Sequence, residues 1–231
     1  MKKILIIKHG SLGDIISSTS AINDIRNHYK NQKIIILTTR KYKNFFNNSD
    51  LVDDVLIDNR KGLIATFLII KKLINLEIGI IIDLQNTFRT SIYSFFIRFF
   101  SKIKINGTGF FSNYRYKYSL KNPPTVIEGL ANQIEILGIK TSRKPYLEWL
   151  NNNNNFDFNI LSNKIFFIVN PGCSKNNYQK RWSAEKYAKI CSYLITKNVL
   201  PVIIGSDEDK EAIEIIASKE KGILNLINKS S

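Results

Sequence analysis

Cysteine is scarce: the 231 residues hold two, Cys173 and Cys191. Neither their number nor their spacing supports a disulfide framework or a zinc site, and such a thiol complement fits a reduced, cytosolic compartment. Histidine is equally rare, and neither His9 nor His28 has sequence neighbours that suggest a metal site or a nucleophilic triad. No serine stands in a G-x-S-x-G elbow. Long apolar runs are missing as well. LIATFLII and FLIIKKLINLEIGIIID are the longest apolar stretches, and none reaches the roughly 20 residues of a membrane-spanning helix. The opening MKKILIIKHGS is too short in its apolar part, and too poor in small residues, to read as a signal peptide. Acidic residues are in deficit, 19 against 34 basic ones, for a formal net charge of +15.

That charge admits a nucleic-acid partner, or attraction to anionic headgroups or phosphorylated substrates. The lysines, however, are dispersed, and Asn and Ile are abundant alongside them, as in AT-rich coding sequence. General composition therefore explains the charge better than a nucleic-acid footprint, and no nucleic-acid partner is expected. With 44% hydrophobic and 23% charged residues the chain can form an ordinary globular core.

Strand-like and helix-like segments alternate. KILIIK is a short apolar run stopped by glycine, as in a buried parallel strand. LGDIISSTSAINDIRNHYK has helical spacing, KIIILTT is strand-like, KYKNFFNNS helical, and VDDVLIDN strand-like. GLIATFLIIKKLINL reads as a helix and GIIIDLQ as a strand. SIYSFFIRFFSKIKI reads as an aromatic-basic helix around Phe95 to Lys104, and PPTVIEGLANQIEILGI as a helix. This β-α-β order predicts an α/β fold with a doubly wound, Rossmann-like parallel sheet. Five asparagines, Asn151 to Asn155, mark a boundary or surface loop. The pattern then restarts with KIFFIVNPG, a helix capped by Ser183, the strand of VLPVIIGSDED and a charged helix. Two strands and two helices make a poor sheet alone, so the second domain is expected to be incomplete in this chain.

Four stretches could carry chemistry. HGSLGD is neither a P-loop nor a G-x-G-x-x-G fingerprint. Gly10 and Gly13 permit close backbone approach, Ser11 stands between them, and Asp14 falls in the first turn of the following helix. Pattern alone favours a helix cap for Asp14 over a catalytic carboxylate. NPGCSKNNYQKRWSAEKY places Ser174, Lys175, Lys180 and Arg181, after the turn at Pro171 and Gly172, between a strand and a helix N-terminus, which suits a diphosphate as well as it suits a solvated loop. IIIDLQNTFRT puts Asp83 and Gln85 at a strand's C-terminal end, most simply as a turn. In the aromatic-basic helix, Phe95, Phe96, Phe99 and Phe100 read mostly as core. Its other reading is an interfacial surface, with Arg98, Lys102 and Lys104 meeting lipid phosphate. Asp53 and Asp54 are adjacent, so on a strand they face opposite ways and do not form a metal pair.

In their order along the chain, KILIIKHGSLGDIISSTSAINDIR, IIIDLQNTFRTS, IVNPGCSKNNYQKRWSAEKYAKI and VLPVIIGSDEDKEAIEII resemble the ADP-heptose:lipopolysaccharide heptosyltransferases, glycosyltransferase family 9. The resemblance implies a GT-B fold of two Rossmann-like domains facing each other across a cleft. Residues 1–155 would form the acceptor-side domain and 156–231 the start of the nucleotide-sugar domain. It implies inverting transfer of heptose from ADP-heptose to the lipid A-linked inner core, with no metal and no cofactor. Asp14 would be the general base, Lys180 the diphosphate holder and Ser174 a donor-side hydroxyl, with Gly172 and Arg181 beside them. Gly10, Ser11, Gly13 and Gln85 would border the acceptor. The expected location is cytoplasmic, with peripheral contact at the inner face of the inner membrane. The family continues with a G-K-T-S-L-like segment and a D-S-G…H-A signature. Here the chain reads NKSS, with Asn228 in place of the usual glycine, so the nucleotide pocket is expected largely beyond Ser231. Two rivals remain: a GT-B transferase using another nucleotide sugar, and a non-catalytic basic binding module whose nucleic-acid binding would be strongly salt-dependent.

Overall fold

The structure is a computed structural model that describes residues 2–59, 62–153, 157–173 and 179–229. The chain divides into two compact units, Met1–Asn153 and Asn154–Ser231.

The first unit alternates strand and helix: β1 (Lys3–Ile7), α1 (Leu12–His28), β2 (Ile34–Thr38), α2 (Lys43–Asn47), β3 (Asp54–Ile57), α3 (Gly62–Ile74), β4 (Ile78–Asp83), α4 (Phe88–Phe100), β5 (Lys104–Gly107), β6 (Tyr114–Arg115) and α5 (Val126–Glu135). The strands form one parallel sheet in the order β3-β2-β1-β4-β5-β6. Side chains alternate across it. Ile4, Ile6, Ile34 and Ile36 join a core with Ile22 and Ile25 of α1, Phe46 of α2 and Ile134 of α5. Leu5, Ile7, Ile35 and Leu37 join the opposite core with Ile69 and Leu73 of α3 and Tyr93 and Ile97 of α4. The strand order reverses between β1 and β4, and a crevice opens at the C-terminal ends of strands at such a point.

Two expectations for this unit need correction. SIYSFFIRFFSKIKI is not one helix: α4 stops at Phe100, Ser101 is extended, and Lys104 starts β5. Nor are most of its phenylalanines core, although Phe96 packs against it. Tyr93 and Ile97 are buried, whereas Phe95 and Phe96 are half-buried and Phe99 and Phe100 are 68% and 69% exposed. Asp53 and Asp54 lie at the N-terminal edge of the sheet, paired with Arg26 at 2.9 Å and Lys33 at 3.5 Å.

The second unit contains β7 (Phe166–Val169), α6 (Ala184–Thr196), β8 (Leu200–Ile203), α7 (Lys210–Lys219) and β9 (Leu224–Asn225). Its parallel sheet runs β7-β8-β9. The third strand, from LNLINKSS, was not expected from sequence. It is only two residues long, below the length at which an alternation can be read. Val169, Ile203, Cys191, Ile213 and Ile216 form this unit's small core. Among the described residues, no helix is long and apolar enough to cross a membrane.

Candidate active site

The site is built where β1 ends. Four consecutive apolar residues, Ile4 to Ile7, lock the strand into the sheet, so the residues after it are held rigidly. Gly10 then takes φ 115°, a conformation that side-chain-bearing residues rarely adopt. It turns the chain into α1, whose N-cap is Ser11. The cap is reciprocal: the Asp14 amide donates to Ser11 Oγ at 3.4 Å, and Asp14 Oδ2 accepts from the Ser11 amide at 2.9 Å and its hydroxyl at 2.8 Å. The cap reading of Asp14 is therefore correct as geometry. It does not exhaust the residue: among the described residues no donor is bonded to Oδ1. The Ser11 amide is the leading cause that holds the Asp14 carboxyl below its ordinary value of 3.8. The Ser11 hydroxyl and the Lys8 charge add to it, against an opposing effect of burial. Gly13 lies inside the helix, with the nearest atom to a Cβ there, Ser11 Oγ, 4.0 Å away. Its absence of a side chain is not demanded by space.

The end of β4 supplies the facing wall. Gln85 Oε1 accepts from the His9 amide at 2.8 Å, which ties this loop to the glycine loop. Lys8, 5% exposed, donates through Nζ to the Leu84 carbonyl at 3.1 Å. Burial is the leading cause that lowers the Lys8 pKa, opposed by the charges of Asp14 and Asp83. Asp83 is buried and accepts the Gln85 and Asn86 amides, each at 3.0 Å. Burial raises its pKa despite these bonds. Asn86 donates to Gln133 Oε1 at 2.7 Å and accepts from the Thr108 amide at 2.8 Å, while Gln133 donates to the Asp83 carbonyl and to Asn106, both at 3.0 Å. This polar lattice fixes the walls of a cavity of about 330 Å³ lined by Asp14, Lys8, Gln85, Asn86, Tyr116 and Thr125, among others.

One cluster was missed from sequence. Buried Asp58, after β3, receives the Tyr93 hydroxyl at 2.6 Å and the Arg89 guanidinium at 3.2 and 3.3 Å, and His9 Nε2 lies 3.7 Å from it. His9 thus has a carboxylate neighbour that the sequence did not reveal. Burial, then the Asp58 carboxylate, raise the Tyr93 pKa above 10.0. The cluster ties the end of β3 to α4 and meets the glycine loop at His9.

In the second unit, the stretch after β7 is organised by Asp209. A Cβ on Gly172 would run into the Asp209 carboxylate, so only glycine fits there. Asp209 accepts from the Ser206 amide at 3.1 Å and from Arg181 Nη2 at 3.2 Å. Arg181 Nη2 also donates to the Cys173 carbonyl at 2.9 Å and the Glu208 carbonyl at 3.2 Å. Arg181 is thus engaged in shaping the loop. Lys180 beside it is exposed, and no carboxylate lies within 4.0 Å of it among the described residues. Ser183 takes the N-cap position of α6 with no side-chain cap bond. Ser174 lies outside the described residues.

Residues 67–231 match the model of the family described as glycosyltransferase family 9 (heptosyltransferase). The chain belongs to this family. The lipopolysaccharide core heptosyltransferase OpsX of Haemophilus influenzae is 22% identical over an alignment of 224 residues, with 93% of this chain and 63% of that protein covered. The chain thus spans less than two thirds of the length of this curated relative. A family 9 glycosyl transferase from Veillonella parvula superposes with a TM-score of 0.72 at 19% identity, covering 99% of this chain and 69% of the other. E. coli heptosyltransferase WaaC, solved with ADP-2-deoxy-2-fluoro heptose, gives 0.72 at 13% identity, covering 97% and 76%. At such identities the likeness is one of fold, and the fold is of GT-B type. The family 9 match takes in Gln85, Asn86, Gln133 and the Gly172–Arg181 stretch. It begins after the glycine loop, so Asp14 rests on its geometry.

Proposed function

We propose that this family 9 chain belongs to an inverting heptosyltransferase that moves heptose from ADP-heptose to the lipid A-linked inner core of lipopolysaccharide, at the cytoplasmic face of the inner membrane. The observation that carries the reading is Asp14. It is an ionised carboxylate clamped through one oxygen by Ser11, with the other oxygen unbonded among the described residues, on the wall of a cavity at the C-terminal ends of the strands. A fixed carboxylate of this kind suits a general base, because its orientation is set before substrate arrives.

In this reading Asp14 Oδ1 takes the proton of an acceptor hydroxyl. The oxygen forms a bond to the anomeric carbon from the face opposite ADP, the bond from that carbon to the diphosphate oxygen breaks, and the configuration inverts. The Lys8 charge also favours the ionised form of Asp14. Asn86, Gln85 and Thr125 offer donors and acceptors to a sugar in the cavity. On the donor side, Lys180 and Ser174 meet the diphosphate. A cation and backbone amides would neutralise the leaving ADP, so no metal is required. The structures of WaaC with ADP and with its ADP-linked fluoroheptose support an ADP-linked donor.

Asp14→Asn in the full-length protein is expected to lower kcat about 10²–10⁴-fold with the fold intact by circular dichroism. Unchanged heptose transfer would refute the assignment. Lys180→Ala is expected to raise the KM for the donor, read by a donor titration.

A further inference from the structure

The first unit has an apolar face that its own fold does not cover. One side of α3 is core, with Ile69, Ile70 and Leu73 buried. The other side is apolar too: Leu63, Ile64, Phe67 and Leu68 are 76%, 79%, 53% and 64% exposed. They recur at i, i+4 spacing, so they form one stripe. A helix that is apolar on both sides, as α3 is before Lys71, is ordinarily covered by protein or lipid on its second side too. The stripe continues onto α4. Phe67 packs against Phe96 with ring centroids 5.2 Å apart, Phe96 stacks on Phe100, and Phe95 touches Phe99 and Phe111. Phe99, Phe100 and Phe110 are all more than two-thirds exposed. A contiguous patch of this kind marks an interaction surface.

Charge says what the surface meets. From Leu84 to Ile127 the chain carries seven Lys or Arg and no Asp or Glu. Lys71 and Lys72 follow the α3 stripe by one turn and are exposed, as are Arg98 and Lys102. Arg115 lies over the Phe110 ring at 5.7 Å. A second copy of the same face would bring cations against cations. A nucleic acid would use the rings but gains nothing from Leu63, Ile64 and Leu68, whose aliphatic side chains offer no stacking surface. An aliphatic and aromatic stripe bordered by cations matches the interface of an anionic bilayer, and α3, at 13 residues, is long enough to lie in that interface and not to cross it.

We propose that the α3/α4 face seats the protein on an anionic phospholipid surface, with Leu63, Ile64, Phe67 and Phe100 entering the acyl boundary while Lys71, Lys72 and Arg98 meet phosphate. This deepens the membrane-side location in the proposed function. It stands apart from the transfer chemistry, because its readout is lipid binding and not turnover.

The test is co-sedimentation of the full-length protein with vesicles of phosphatidylethanolamine and phosphatidylglycerol, against vesicles of phosphatidylcholine alone. Binding is expected to the anionic vesicles and to weaken with salt. Phe67→Ser/Phe100→Ser and, separately, Leu63→Ser/Ile64→Ser are each expected to lower the partition coefficient about tenfold or more. Lys71→Glu/Lys72→Glu is expected to reduce it similarly and to remove most of its salt dependence. All six positions are exposed, and an unchanged melting curve checks each fold. Equal partition of wild type and variants would overturn the proposal, as would equal binding to phosphatidylcholine. So would a dimer in sedimentation velocity, or binding to homopolymer RNA, that the same substitutions abolish.

Discussion

At the scale of single residues, the site depends most on a residue with no side chain. A Cβ on Gly10 would stand 2.8 Å from Asp14 Oδ2 and 3.0 Å from Asp14 Cβ, at a φ of 115°. Gly10→Ala must therefore move either the loop or the carboxylate. Stability is expected to fall by about 1–3 kcal/mol in urea unfolding, and kcat to fall further than that strain accounts for, since the Ser11 clamp on Asp14 is lost. Gly13→Ala is the control. With open space and a helical backbone there, it is expected to keep activity and to gain up to about 1 kcal/mol. If both substitutions behave alike, Gly10 is not the residue that positions Asp14. The clamp also sets a pH dependence. A general base must be deprotonated, and the bonds from Ser11 hold Asp14 below 3.8. Loss of kcat/KM through Asp14 as pH falls is thus expected only below 3.8, with no acid limb from this group near neutrality. A pH–rate profile of wild type checks this. Ser11→Ala, which removes one of the two donors to Oδ2, is expected to move that limb upward.

At the scale of elements, strands β1 to β4, β7 and β8 and the first helix were legible because each has one clear period, whereas β6 and β9, two residues each, are too short to show one. Runs such as KILII between polar breaks leave little choice, and the Ser11/Asp14 pair announces the start of α1. The join of α4 and β5 was not legible, because apolar residues continue through SIYSFFIRFFSKIKI and the break falls at Ser101, a residue with no strong stop signal. The exposure of Phe99 and Phe100 was hidden for another reason: helical spacing names a face but not whether protein covers it. The polar contacts that shape the site were the least legible, since their partners are far apart in sequence, 31 residues for Arg89 and Asp58 and 47 for Asn86 and Gln133. Gln133 is the element-scale counterpart of Gly10. It is fully buried and joins α5 to the ends of β4 and β5 through Asn86, Asn106 and the Asp83 carbonyl. Gln133→Leu keeps the approximate volume but leaves these partners unpaired in the interior. A cost of about 2–4 kcal/mol is expected from one to two buried polar groups left unsatisfied, read as a lower urea midpoint with unchanged slope. A loss of less than about 0.5 kcal/mol, the usual range of a surface substitution, would mean the lattice does not brace the cavity.

At the scale of the whole chain, the two units are built to different standards. In the first, β1 has a hydrogen-bonded neighbour on each side, and Ile4, Leu5, Ile6 and Ile7 are 0–1% exposed because helices cover both faces. In the second, among the described residues, β8 alone is flanked on both sides. β7 and β9 are edge strands, and Phe166, Phe167 and Ile168 on β7 are 42%, 53% and 54% exposed. Local stability follows such burial, because opening a strand that hides little apolar surface forfeits little hydrophobic free energy. The amides of β7 and β9 are therefore expected to exchange with deuterium by openings of lower free energy than those of β1 and β4. Each fully buried side chain that β1 has and β7 lacks is worth roughly 1.5–3 kcal/mol. Three such residues make the gap several kcal/mol, which is orders of magnitude in exchange rate. Urea unfolding of this chain should then show two transitions, the earlier one followed by Trp182 beside α6 and the later one by buried Trp149. Single-tryptophan variants separate the signals. Coincident transitions from both tryptophans would mean that the units unfold as one, and that the bare faces of β7 are stabilised by something other than its own unit's core.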